Sequence, residues 1–78
     1  MIDLDGPEPL YQQVAEAVRE RIRAGELAVG RAVPSIAALA ETYQVGRNTA
    51  VKALDLLKAD GTVTTVPGRG TFVARVPG

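Results

Sequence analysis

The sequence predicts a small, mainly α domain closed by a β-hairpin, with three helices followed by two short strands. Three observations lead there. Apolar residues recur at helical spacing through three successive segments between residues 9 and 59. After Asp60-Gly61 that period gives way to β-branched and aromatic runs around a Pro/Gly turn. A length of 78 residues leaves room for one domain and no more. Apolar residues make up 46% of the chain, but twelve of them are alanine, so the core is thin.

The first helix runs from Pro9 to Ala24. Leu10, Val14, Val18 and Ile22 recur every four residues, and Tyr11, Ala15 and Ala17 widen the stripe. Arg19, Glu20 and Arg23 lie off it, in water. Pro9 suits a first turn and Gly25 a left-handed stop. Residues 25–33 form a loop, with Gly30 as a second turn point. Ser35 stands where a helix cap belongs, and Ile36, Leu39, Ala40 and Tyr43 follow at helical spacing as a short second helix. Tyr43 to Gly46 turns the chain into a third helix from Arg47 to Ala59, which Asp60-Gly61 ends. Thr62–Val66 and Thr71–Ala74 flank Pro67-Gly68-Arg69-Gly70 as a hairpin, in which Phe72 is expected in the core. Tyr11 and Tyr43 read as helix-packing residues. Helix, helix, short turn, helix, hairpin is the order of a winged helix-turn-helix. Residues 1–8 are then an N-terminal arm, 9–75 the domain, and 76–78 a tail or linker stub.

Composition removes several function classes. There is no cysteine and no histidine, so no disulfide, zinc finger or thiolate or imidazole metal site can be built. The usual base of a nucleophilic triad is missing as well. Carboxylates are present but form no cleft-like pattern, so no enzyme, cofactor, metal or small-molecule site is expected. The start, Met1-Ile2-Asp3-Leu4-Asp5, is acidic, unlike a signal peptide, and no apolar stretch is long enough for a membrane span. A soluble, cytoplasmic module is expected.

The formal net charge is zero, but it is unevenly spread. Residues 1–46 hold four basic and seven acidic side chains. Residues 47–78 hold Arg47, Lys52, Lys58, Arg69 and Arg75 against Asp55 and Asp60. That asymmetry points to a basic face on the second half.

Residues 9 to 74 resemble the DNA-binding domain of the GntR family of bacterial transcription regulators. The resemblance is carried by Pro9-Leu10-Tyr11, Gly25-Glu26-Leu27 with Gly30, Val33-Pro34-Ser35 and Leu39-Ala40. Val45-Gly46-Arg47-Asn48-Thr49, Ala53-Leu54-Asp55-Leu56-Leu57, Asp60-Gly61 and Pro67-Gly68-Arg69-Gly70-Thr71-Phe72-Val73 complete it. Each motif is weak alone; together, in order and at the family's spacing, they are specific. Three departures stand out. Ala37 and Val51 occupy positions where members usually carry arginine, and Gly46 replaces the usual serine or threonine cap. The resemblance implies a regulator, a repressor by expectation, that binds double-stranded DNA as a homodimer on a near-palindromic operator.

The third helix has the layout such a role needs. With Arg47 at the origin, Val51 falls at about 40°, Asp55 at about 80°, Asn48 at about 100° and Lys52 at about 140°. Ala50, Ala53, Leu54 and Leu57 fall on the opposite, packing side. Arg47 can fork onto a guanine edge, Asn48 can pair with adenine, and Val51 can touch a thymine methyl. Thr49 and Lys52 suit phosphates. The same residues also have plainer readings, Arg47 as a solvated cation and Asn48 as an alternative helix cap. Gly68-Arg69-Gly70 does not open a helix, so it is a wing tip rather than a nucleotide loop, with Arg69 offered to a minor groove or phosphate. The resemblance extends the interface to Ser35, Gly68, Gly70 and Thr71. The rival expectation is a winged helix that has lost its groove contacts and binds protein instead.

Overall fold

The computed structural model describes residues 9–78; the expected N-terminal arm lies outside the described residues. The elements follow the expected order: α1 (Leu10–Arg23), α2 (Ile36–Tyr43), α3 (Arg47–Ala59), β1 (Val63–Val66) and β2 (Gly70–Val73). Pro9 caps α1 from outside, in extended conformation, rather than occupying its first turn. Val14, Ala15, Val18 and Ile22 form the buried stripe of α1. Against them α3 buries Ala50, Ala53, Leu54 and Leu57, and Leu39 of α2 closes the cluster. Because α3 packs on α1, α2 and β1 alike, it is the central element of the domain. Tyr11 and Tyr43 lean against this core, partly buried.

The hairpin pairs Val63 with Val73, Thr64 with Phe72, Thr65 with Thr71 and Val66 with Gly70. Side chains alternate between the faces of a strand, so burial of Val63 and Val73 sends Phe72 to the other side. Phe72, expected from the sequence in the core, is instead half-buried and lines an open groove with Gly25–Ala32. The expected loop 25–33 also differs in part. Ala32 bridges Phe72, Val33 N–H donates to Thr71 C=O at 2.9 Å, and Val73 N–H donates to Arg31 C=O at 2.9 Å. Its last residues thus act as a short third strand on β2.

Arg19, expected in water, is instead the main tie between α1 and the end of α3. Its guanidinium donates to Asp60 Oδ2 at 2.7 Å, and its side chain is only 19% exposed. Asp60 Oδ1 accepts from the Thr62 N–H at 2.9 Å and from the Thr62 hydroxyl at 2.5 Å. The Asp60 carbonyl accepts from Arg75 at 2.6 Å. Thr62 is fully buried, and its own carbonyl accepts the Ala74 N–H at 2.8 Å. One residue thereby joins α1, α3 and both sides of the hairpin. Burial pushes the Asp60 carboxyl up, but the hydrogen bonds from Thr62 and Arg19 outweigh it and hold it below its ordinary value. On α1, the hydrogen bond from Arg23 likewise holds Glu16 low, against a smaller effect of burial.

Removal of the Asp60 carboxylate strands a buried hydroxyl, so Asp60→Ala is expected to cost about 1–3 kcal/mol by chemical denaturation. Loss of the exposed Arg21–Glu26 pair, 3.5 Å apart, through Glu26→Ala is expected to cost under about 1 kcal/mol. Equal losses would remove Asp60 from its central role. A depressed carboxyl stabilises the fold above its unfolded pKa, about 3.9 for aspartate, and that contribution is lost as pH falls through the folded value. The melting temperature is therefore expected to hold from neutral pH to about pH 5 and to fall below about pH 4, less steeply in Asp60→Asn. An unchanged acid limb in that variant would contradict the assignment.

Candidate nucleic-acid interface

The approach to α3 is set by a tight turn after α2. Gln44 takes a left-handed conformation, φ 56°, unusual for a residue with a Cβ. Its backbone N–H closes α2 on the Ala40 and Glu41 carbonyls, and its side-chain amide donates to the Glu41 carbonyl at 2.9 Å. The Val45 N–H donates to Ala40 C=O at 3.0 Å, which swings Gly46 into place as the cap of α3. Gly46 brings no capping side chain, so the N–H groups of the first turn stay open to an outside acceptor.

Burial of Ala50, Ala53, Leu54 and Leu57 determines which way α3 is turned. Arg47, Asn48 and Lys52 come out exposed, as does Asp55, while Thr49 and Val51 are partly exposed. Among these, no hydrogen bond or ion pair to another side chain forms. Ser35 is exposed at the start of α2, where its Oγ accepts the Ala38 N–H at 3.1 Å, so it is first a helix cap. At the hairpin tip Arg69 is exposed and its N–H donates to Val66 C=O at 2.9 Å. Gly68 at φ 75° and Gly70 at φ 119° make that turn; no residue with a side chain adopts the second value comfortably. Thr71 is partly buried, its hydroxyl 3.4 Å from that of Thr65 and its carbonyl engaged by Val33. The expected residues thus sit on three elements: five on the first turns of α3, four at the wing, and Ser35 at the head of α2.

One feature of the electrostatics was not legible residue by residue. On α1, Arg19 and Arg23 both bond Glu16, Arg23 also bonds Glu20, and Arg21 pairs with Glu26. Arg19 reaches Asp60 and Arg75 is held by the Asp60 carbonyl. Among the described residues, this leaves Arg31, Arg47, Lys52, Lys58 and Arg69 without a protein partner, opposed only by Glu41 and Asp55. The i, i+3 and i, i+4 spacing of Glu16, Arg19, Glu20 and Arg23 was the available signal. Arg31 pairs along the backbone with Val73, three residues or about 10 Å from the wing end of β2. The remaining free cations lie on α3 and the wing tip.

No helix among the described residues is long and apolar enough to cross a membrane, and no cluster of metal-ligating side chains occurs among them. A model of bacterial regulatory proteins of the gntR family matches residues 10–73. The mannosyl-D-glycerate transport/metabolism system repressor MngR of Escherichia coli (strain K12) is 40% identical over 68 residues, which is 87% of this chain and 28% of that protein. The uncharacterized HTH-type transcriptional regulator YdfD of Bacillus subtilis (strain 168) is 40% identical over 65 residues, 83% of this chain and 14% of its own. The chain thus spans less than a third of the length of these curated relatives. The solved structure of YtrA from Sulfolobus acidocaldarius, a GntR-family transcription factor, superposes with a TM-score of 0.85 at 36% identity, covering 96% of this chain and 79% of that one. With its helix-turn-helix, its wing and a family match that runs from the first helix to the last strand, the chain belongs to the gntR family of bacterial regulatory proteins.

Proposed function

We propose that this domain binds double-stranded DNA in a sequence-specific way and serves a transcription regulator, a repressor in the first instance. The first turns of α3 enter the major groove, and the Gly68-Arg69-Gly70 tip lies on the minor groove or its phosphates. Two copies bind a near-palindromic operator, one half-site each. The observation that carries this reading is the exposed face of α3, where Arg47, Asn48 and Lys52 have no partner within the protein. Arginine forks onto N7 and O6 of guanine, asparagine onto N6 and N7 of adenine, and lysine meets phosphate as a point charge. The names of the relatives, transcriptional regulators and repressors, support the same reading. Internal pairing of the α1 charges supports it too, because among the described residues it leaves the cations of α3 and the wing tip opposed only by Glu41 and Asp55.

If each protomer of a dimer places three or four of Arg47, Lys52, Arg69 and Lys58 on or near phosphates, log K should fall against log salt with a slope of roughly −5 to −7. A flat response, or no binding to DNA at low salt, would remove DNA as the partner and leave a protein-binding winged helix.

Arg47→Ala and Lys52→Ala separate reading from anchoring. The first is expected to lose about 1–3 kcal/mol on the best operator and to relax the preference at one guanine per half-site. The second is expected to weaken all sequences alike and to flatten the salt slope by about one unit per protomer. Even losses across sequences in both variants would show that Arg47 does not read a base.

A further inference from the structure

α3 exposes one residue that the packing of the fold does not explain. Ala50, Ala53, Leu54 and Leu57 already form the helix's buried face, yet Val51 stands partly exposed beside it. Val51 lies one turn after Arg47 and one turn before Asp55, about 40° from each around the helix axis. Both neighbours are exposed and neither has a protein partner. A guanidinium, two methyl groups and a carboxylate therefore follow one another along one helix face.

Base edges in the major groove respond differently to these groups. Guanine shows two acceptors, N7 and O6, and thymine shows a methyl group. Val51 has no donor to offer guanine. Two methyl groups in contact both leave water, which is favourable and makes little demand on geometry. Both base pairs show acceptors in the groove, but a G·C pair in the same place has no methyl group to meet Val51, so the apolar contact is lost with nothing in return. On the reading of α3 as the major-groove helix, we infer that Val51 is a specificity-determining residue, whose methyl groups select thymine at the base pair they face.

Two measurements test this. Sites selected from a random DNA pool by the wild-type chain and by Val51→Arg are expected to differ at one base pair per half-site. That position is A·T for the wild type and guanine for the variant, the latter preferred roughly 5- to 150-fold. Replacement of the selected thymine by deoxyuridine then removes the 5-methyl group alone. It is expected to weaken wild-type binding about fourfold, the worth of one buried methyl, and to leave Val51→Ala nearly indifferent. The deoxyuridine measurement on the wild-type chain decides the matter even if a variant folds poorly. Identical selected motifs, or wild-type binding insensitive to the methyl group, would overturn the role of Val51 while DNA binding stands. Failure of the wild-type chain to bind DNA at low salt would overturn the DNA-binding reading itself, and binding without any selected sequence would overturn its sequence specificity.

Discussion

The fold depends on the junction at Asp60, where one carboxylate and its own carbonyl hold four segments together. The apolar faces of α1 and α3 pack without it, but the end of α3 and the start of the hairpin have their polar tie to α1 here. Arg19 reaches it from the side of α1, Thr62 ties the start of β1 back to the helix end, and Arg75 brings in the chain after β2. The arrangement is costly to break because Thr62 is fully buried and its hydroxyl has Asp60 as its acceptor. It is also well away from the exposed residues of the first turns of α3, so the stability of the frame and the chemistry of the interface are carried by different side chains.

α3 itself has to satisfy both. Thirteen residues supply a packing face of two alanines and two leucines and, on the other side, the groups offered to a partner. The small residues Ala50 and Ala53 are both essentially fully buried, so enlarging either would push against close-packed neighbours. Rotation of the helix would trade one face for the other, and the buried side prevents it. The local geometry at its entrance is less favourable: Gln44 is left-handed and the Gly46 cap has no side chain to bond the first turn. Locally unfavourable choices of this kind gather at functional turns, where the surrounding packing over-determines the conformation.

Charge is distributed by the same logic. Among the described residues the two carboxylates of α1, Glu16 and Glu20, are spent on Arg19 and Arg23 of the same helix, while Arg21 pairs with Glu26. Such exposed pairs add little stability. Their larger effect is on the field, since they neutralise α1 and leave the unpaired cations of α3 and the wing tip to dominate their own surface.

The sequence by itself determined the order and kind of the elements, the Ser35 cap, the turn at the wing and the two faces of α3. Each rests on contacts a few residues apart, where period and turn chemistry speak directly. The exposed residues of α3 were legible for the same reason, because a helix that must bury Ala50, Ala53, Leu54 and Leu57 has only one other side. What lay beyond it depends on pairing between distant residues. Arg19 meets a carboxylate 41 positions away, and off the apolar stripe it looks like any solvated arginine. The face of Phe72 follows from the register of the hairpin, since a shift by one residue would turn every side chain over. The extra strand at Ala32 and Val33 is too short to be recognised alone and exists only because β2 offers it an edge. Which cations remain free was likewise decided in three dimensions, because an ion pair is a matter of distance, and local spacing alone does not reveal every partner.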